Sequence, residues 1–302
     1  MYWKENRIRM KKRVLICGCN GQLGRTLQDL VSDYPEFSFY CTDIDTLDLR
    51  DFDAVSSFIN EHKIDITINA SAYTAVERAE TEIALAYQVN EKAVDNLARA
   101  TYGRGGFLVH ISTDYVFDGE SKEAYKPEDT PNPVSVYGAS KLAGEERMIE
   151  SGCRGIIIRI AWLYSIYGNN FVKTMLKLSS EREEIRVVND QWGAPTNARD
   201  LAEVIMKIIS YEDKILGTKI YHYSNEGVIS WYQFAEEIIR LSGHKCSVCP
   251  ISSEEFGAKV KRPSFSLLDH TKIAKDFNIS IQKWEDSLSR DLSKIKYCAN
   301  NQ

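Results

Sequence analysis

Tyr137 and Lys141 stand four positions apart within Val136–Ser151, where apolar residues recur every three or four positions and predict a helix, so the two side chains share one face. An ammonium one turn from a phenol favours the phenolate. That pairing predicts a Tyr137 hydroxyl drawn down from about 10 toward the working pH, where it exchanges a proton readily with a substrate oxygen. Ser112, Thr113 and Asp114 close a predicted strand, Phe107–Ser112, and the Thr113 hydroxyl at that carboxyl end can bond the same oxygen. A tyrosine and lysine at this spacing form a surface pair in most sequences; a second motif tips the balance here.

That motif is Gly18, Gly21 and Gly24, a GxxGxxG loop directly after a predicted strand and at the start of a predicted helix, the setting a loop needs to cradle a pyrophosphate. Gly18 would permit the tight turn, Gly21 the approach of backbone to phosphate, and Gly24 the close packing of helix on sheet, with the helix N-terminus facing the anion. Asp43 ends the next strand, about 20 positions beyond Gly24, where a carboxylate accepts from adenosine ribose hydroxyls. This favours NADH, whereas Arg25, just inside the first helix, would suit the 2′-phosphate of NADPH; the residues leave NADPH or NADH open.

The elements that must position these groups alternate between short apolar runs and longer helical patterns. Strands are expected at Arg13–Cys17, Phe37–Asp43, Asp65–Asn69, Phe107–Ser112 and Gly155–Ile160. Helices are expected at Gln22–Ser32, Asp51–His62, Ile83–Tyr102 and Val136–Ser151. This is the pattern of an α/β protein with a Rossmann-type doubly wound parallel sheet and right-handed crossovers. Beyond Trp162 the chain grows loop-rich around helices at Phe171–Ser180 and Ala198–Tyr211, which suits a smaller C-terminal substrate-binding lobe. Ser230 through Gln233 reads as a capping box opening a helix to about Leu241. The expected division is residues 11–162 for the NAD(P)-binding domain and residues 163–302 mainly for the lobe. Residues 1–10, polar and basic, are expected to be a disordered extension.

Composition removes other classes. A net charge of −5 over 302 residues supplies no basic surface for a phosphate backbone, so no nucleic acid partner is expected. No apolar run approaches a membrane span. The seven cysteines are scattered without a disulfide framework, which fits a reducing cytoplasm. Cys246 and Cys249 have the spacing of half a zinc or redox site, but no second pair completes a ligand set; they are expected to be inert thiols, with no metal.

Together these residues resemble the extended short-chain dehydrogenase/reductase family, and most closely those members that reduce 4-keto nucleotide sugars. The resemblance covers nearly the whole chain and rests on Gly21–Gly24, Asp48 and Leu49, Asn69–Val76, Ser112–Phe117, Tyr137–Lys141, Trp162–Tyr164 and Asp190–Thr196. It implies that Gly21, Gln22 and Leu23 line the pyrophosphate, that Asp48 and Leu49 border the adenine, and that Ala70, Ser71 and Ala72 follow the cofactor. It further implies Tyr137 as the acid, Lys141 as its tuner, Thr113, Asp114 and Tyr115 against the sugar, and Trp162 as a pocket wall. The substrate implied is a dTDP-4-keto-6-deoxy sugar, and the chain is implied to return late to complete the cofactor half. Such reductases often dimerise, so the resemblance allows a homodimer; acidic ligands for an intersubunit magnesium are not matched here. Related dehydratases carry Thr-Asp-Glu after the fourth strand, whereas Tyr115 stands in the glutamate position, which favours carbonyl reduction over elimination. An epimerase, or a non-catalytic dinucleotide-binding regulatory subunit on the same fold, is the alternative reading; intact Thr113, Tyr137 and Lys141 argue against the regulator.

Overall fold

The computed structural model describes residues 11–300, with side chains through Ile295; the expected extension over residues 1–10 lies outside the described residues. Six parallel strands form the central sheet: β1 (Lys12–Cys17), β2 (Phe37–Thr42), β3 (Ile66–Asn69), β4 (Phe107–Thr113), β5 (Arg154–Ile160) and β6 (Thr218–Tyr223). Their spatial order is β6-β5-β4-β3-β1-β2. Because side chains alternate across a strand, Val14, Ile16, Ile66, Ile68, Val109 and Ile158 bury on one face, under the helices Gln22–Gln28 and Ala198–Ile209. Leu15, Cys17, Leu108 and Ile157 bury on the other, under Phe52–Glu61 and Ala93–Gly103. Both faces are covered, which is why these strands read as nearly continuous apolar runs.

The strand order reverses between β1 and β3, since β2 lies to one side of β1 and β3 to the other. At such a switch point the loops leaving the carboxyl ends diverge and open a crevice. Late in the chain, β6 pairs with β5, and Ala198–Ile209 packs on Gln22–Gln28. The remaining C-terminal elements form their own core, where Tyr164, Met175, Ile185, Phe234, Trp284 and Leu288 pack together. In it the strand Glu184–Val188 pairs in parallel with Ser247–Ile251, which carries Cys249. The six described cysteines are free, and among the described residues no group of three His, Cys, Asp or Glu side chains could hold a metal. No helix among them is long and apolar enough to cross a membrane.

Most boundaries fall within two residues of expectation, and Ser230 and Gln233 do form the reciprocal capping box of the helix Trp231–Ser242. Two helices differ. Gln22–Gln28 ends early and gives way to a 3₁₀ turn at Val31–Asp33. The helix expected over Ile83–Tyr102 is broken by a π turn at Gln88–Lys92, between Ile83–Tyr87 and Ala93–Gly103. An inserted π turn keeps the apolar faces on both sides buried, so periodicity alone does not reveal it.

The π turn seats the helix that carries Tyr137. In that helix, Val136–Glu150, Ser135 caps the N-terminus by accepting from the Gly138 N–H at 3.1 Å. A Cβ at Gly144 would sit 2.1 Å from the Asn90 carbonyl oxygen in the π turn, and one at Gly138 would sit 2.1 Å from the Tyr115 carbonyl oxygen. Asn90 is itself fixed, accepting from Tyr73 N–H at 2.9 Å and donating to Ser140 Oγ at 3.0 Å. Gly144→Ala therefore pushes a Cβ against backbone, which no rotamer can relieve. It should lower stability by about 1–3 kcal/mol despite alanine's better helix propensity. Urea unfolding of the variant is the check, and an unchanged or raised midpoint would contradict this seating.

Candidate active site

The crevice at the carboxyl ends of β1, β3 and β4 is a cleft of about 650 Å³, within the range of small-molecule sites. Gly18, Gly21, Gln22, Leu23, Asp43, Ala70, Ser71, Ala72, Thr113, Asp114, Tyr115, Tyr137, Lys141 and Trp162 all line it. Asp48 and Leu49 line a smaller apolar slot with Ile44, Leu47, Val89 and Ala93, and Gly18, Asp43 and Ser71 border both spaces. Gly24 lines neither; it lies beneath the loop. Thr74, Val76, Gly168 and Asn169 join the cleft wall without having been singled out. The first two belong to the quoted stretch Asn69–Val76, whereas nothing in the sequence places the loop Gly168–Asn169 opposite Gln22.

The glycine loop is shaped by close approaches. Gly18 has φ +73, and a Cβ there would lie 2.7 Å from Ser71 N; a Cβ on Gly24 would lie 2.2 Å from the Gly18 carbonyl oxygen. Asp43 clamps the loop to the end of β2, one oxygen accepting from Asn20 N–H at 2.9 Å and the other from Ile44 N–H at 2.8 Å. Asp48 is held by Arg50 through Nε and NH2 at 2.9 and 2.7 Å, and these hydrogen bonds keep its carboxyl below the usual carboxylate range. Arg25 lies over the Tyr167 ring, 5.9 Å from its centre.

At the other end of the cleft, Thr113 closes β4, donating to Asp114 Oδ1 at 2.9 Å and accepting from Tyr115 N–H at 3.2 Å. The Tyr115 and Tyr137 rings meet edge to face with centres 5.4 Å apart. Burial pushes the Tyr137 phenol well up, and a hydrogen bond with Thr113 pulls it back only in part. Burial therefore outweighs the downward pull expected from the lysine. Lys141 Nζ is committed to the Ile111 carbonyl at 2.6 Å, with His110 Nε2 at 3.5 Å. Burial also lowers Lys141 itself to about 8, against the attraction of Glu145. Helical spacing put the two side chains on one face but carried no information about this desolvation.

Two further features escaped the sequence. Glu145, one turn beyond Lys141, accepts from Arg159 of β5 at Nε (3.0 Å) and NH2 (2.7 Å), both residues almost wholly buried. Trp162 adopts φ +50, an uncommon conformation for a bulky residue. Its ring stacks on Trp231 with centres 3.7 Å apart. Neither partner was within sequence reach, one lying 14 positions away and the other 69.

The sheet order, the glycine loop after β1 and the Thr, Tyr and Lys set at the end of β4 define a Rossmann-type enzyme of the extended short-chain dehydrogenase/reductase class. Residues 11–297 match the family model of the RmlD substrate binding domain, and the chain belongs to that family. It is 40% identical over 286 residues, 91% of this chain and 97% of the relative, to the dTDP-4-dehydrorhamnose reductase of Aggregatibacter actinomycetemcomitans. It is 36% identical, over 93% of this chain and 97% of the relative, to the spore coat polysaccharide biosynthesis protein SpsK of Bacillus subtilis. A crystal structure of dTDP-4-dehydrorhamnose reductase from Bacillus anthracis in complex with NADP superposes with a TM-score of 0.90 at 42% identity, covering 94% of this chain and all of that one.

Asp114 offers a test of the site's electrostatics. It is 4% exposed, and burial raises its carboxyl from 3.8 to about 6 against the hydrogen bond from Thr113. The folded protein then holds this proton more tightly than the unfolded chain. Its stabilising contribution is complete below about pH 4 and is lost as pH rises through about 6. Asp114→Asn should therefore stabilise the protein by about 1–3 kcal/mol at pH 7 and by little at pH 4. Urea melts at both pH values decide it; an equal effect at the two would contradict the assignment.

Proposed function

We propose that this chain reduces the C4 carbonyl of dTDP-4-dehydro-L-rhamnose to give dTDP-L-rhamnose. The observation that carries this reading is the convergence of Thr113, Tyr137 and Lys141 at one end of a cleft whose other end is the glycine loop. The reductase relatives and the NADP held by the Bacillus anthracis enzyme support it. The donor is NADPH or NADH. Each Asp43 oxygen accepts one backbone N–H and keeps a further lone pair for a ribose hydroxyl, while the NADP held by the Bacillus anthracis enzyme supports NADPH.

The residues present fit a dinucleotide. The tight loop at Gly18 and Gly24 leaves the backbone of Gly21, Gln22 and Leu23 open to a pyrophosphate, and the slot beside Asp48 and Leu49 is apolar enough for an adenine. Ala70, Ser71 and Ala72 continue the same wall. Bound there, the reduced nicotinamide supplies hydride to the sugar carbonyl. The chain's own part is to place the sugar and provide the proton: Trp162, Asp114 and Tyr115 wall the sugar, and Thr113 would turn its hydroxyl from Asp114 Oδ1 to the C4 oxygen. Tyr137, with its phenol held above its ordinary range, stays protonated at neutral pH and gives that proton to the developing alkoxide, which would be costly to leave unpaired in this buried setting. Residues 11–162 with the returning β6 hold the cofactor in this reading, and the rest mainly holds the nucleotide sugar. Free thiols throughout the described residues support a cytoplasmic setting; a homodimer is part of the same reading.

In Tyr137→Phe the ring packing is retained and the proton lost, so turnover should fall by about 10²–10⁴-fold with cofactor affinity nearly unchanged. Lys141→Met should cost turnover and cofactor binding together. Steady-state rates with a 4-keto sugar nucleotide and cofactor titrations measure both, with circular dichroism confirming the fold. A Tyr137→Phe protein that keeps most of its activity would contradict Tyr137 as the proton donor, whereas unsubstituted protein that reduces no 4-keto sugar nucleotide would return the regulatory-subunit reading to first place.

A further inference from the structure

Lys141 is 2% exposed, and its neighbour His110, on β4, is fully buried. The protons around this pair can be assigned by following the hydrogen bonds outward from the cleft. Asn69 Oδ1 receives the Ser71 backbone N–H at 3.1 Å and the Ser71 hydroxyl at 2.6 Å. A backbone N–H can only donate, so the Asn69 atom facing it is the carbonyl oxygen and the amide orientation is fixed. The Asn69 NH2 group therefore faces His110 Nδ1, at 3.1 Å, and that nitrogen must accept. Burial and the Lys141 charge hold His110 well below its ordinary pKa, so the ring is neutral and its single N–H is on Nε2.

Nε2, which carries that hydrogen, lies 3.5 Å from Lys141 Nζ. An ammonium has three hydrogens and no lone pair, so it cannot accept, whereas an amine can. We infer that His110, locked in its Nε2–H form by the Ser71–Asn69 chain, is a positioning residue that favours the amine form of Lys141 and makes the lysine's charge easy to change during turnover. The bond to the Ile111 carbonyl, at 2.6 Å, is compatible with both forms and does not discriminate.

The other groups around Lys141 set limits on this effect. On its own helix, Glu145 favours the ammonium, but Arg159 from β5 donates to both Glu145 oxygens and offsets that pull. Tyr137, one turn earlier, is held protonated and neutral. Arg159 is in turn followed by His222 of β6 at 3.5 Å, a histidine that burial lowers to about 3 and so keeps uncharged. From the π turn, Asn90 meets this helix at Ser140 and Gly144 and brings no charge, while Glu91 accepts from Arg147 Nε at 2.9 Å, six positions beyond Lys141, and is paired there. His110 is thus the one neighbour among the described residues whose hydrogen bonding separates amine from ammonium in the amine's favour.

The role in turnover rests on the reductase reading, but the arrangement can be tested without activity. In protein labelled with ¹⁵N-histidine, ring nitrogen shifts should show His110 neutral and protonated at Nε2, with the resonance assigned by its loss in His110→Gln. The ¹³Cε titration of Lys141 should have its midpoint below the 10.5 of an ordinary lysine. Asn69→Asp, nearly isosteric, would accept from Nδ1–H and turn Nε2 into an acceptor. It should raise the Lys141 midpoint by about one pH unit or more and move the alkaline limb of turnover upward with it. A His110 protonated at Nδ1, or charged at neutral pH, would overturn the inference whether or not the variant folds. So would an unmoved Lys141 midpoint in folded Asn69→Asp. Should the tautomer and midpoint behave as stated while no 4-keto sugar nucleotide is reduced, the reductase reading fails and the inferred arrangement stands.

Discussion

A lysine placed almost wholly out of water must be given oxygen or nitrogen partners, and in this molecule much of the architecture around the cleft serves Lys141. Its ammonium reaches the Ile111 carbonyl only because the helix Val136–Glu150 lies very close to β4 and its neighbours. That closeness depends on hydrogen atoms where other residues carry Cβ: Gly138 against the Tyr115 carbonyl and Gly144 against the Asn90 carbonyl. The Asn90 carbonyl is presented by a π turn, a local widening of the preceding helix. The same placement carries Tyr137 to the end of β4 beside Thr113, so the proton donor and the lysine are positioned by one packing decision.

Burial then sets the chemistry. It raises the phenol and lowers the lysine, which brings the two groups toward opposite ends of their useful ranges: a tyrosine that keeps its proton until an alkoxide appears, and a lysine near 8 that can change charge close to neutrality. The Ile111 carbonyl keeps the lysine from being stranded in an apolar interior, the buried Glu145–Arg159 pair lies one turn beyond, and His110 and His222 close the network as neutral rings. Removing one member of such a buried set leaves the next unpaired, so the network is expected to be intolerant of single changes.

What could be read from the sequence follows from the range of each interaction. Strands buried on both faces, helical periodicity and the glycine loop are written in adjacent residues, and the five strands and most helices expected from them are where the structure has them. The tyrosine and lysine sharing a face is equally local. The sign of the phenol's shift runs opposite to the one the spacing predicts, because desolvation depends on what packs over a residue and spacing along a helix does not encode it. The π turn stayed hidden because an inserted residue preserves the apolar pattern on both sides. Arg159, His222 and Trp231 came from other strands and helices, and the late return of β6 to the sheet was implied by family resemblance rather than by any periodic signal.

The central claim is that the geometry at the end of β4 performs one hydride transfer to one sugar carbon, with the proton supplied by the protein. The most direct measurement is to supply NADPH labelled with deuterium on the transferred position, together with dTDP-4-dehydro-L-rhamnose, and locate the label in the product by NMR. The account predicts deuterium at C4 of dTDP-L-rhamnose, one per turnover, with none at C3 or C5. Label at another carbon, label lost to water, or product formed without consumption of the nicotinamide would contradict it.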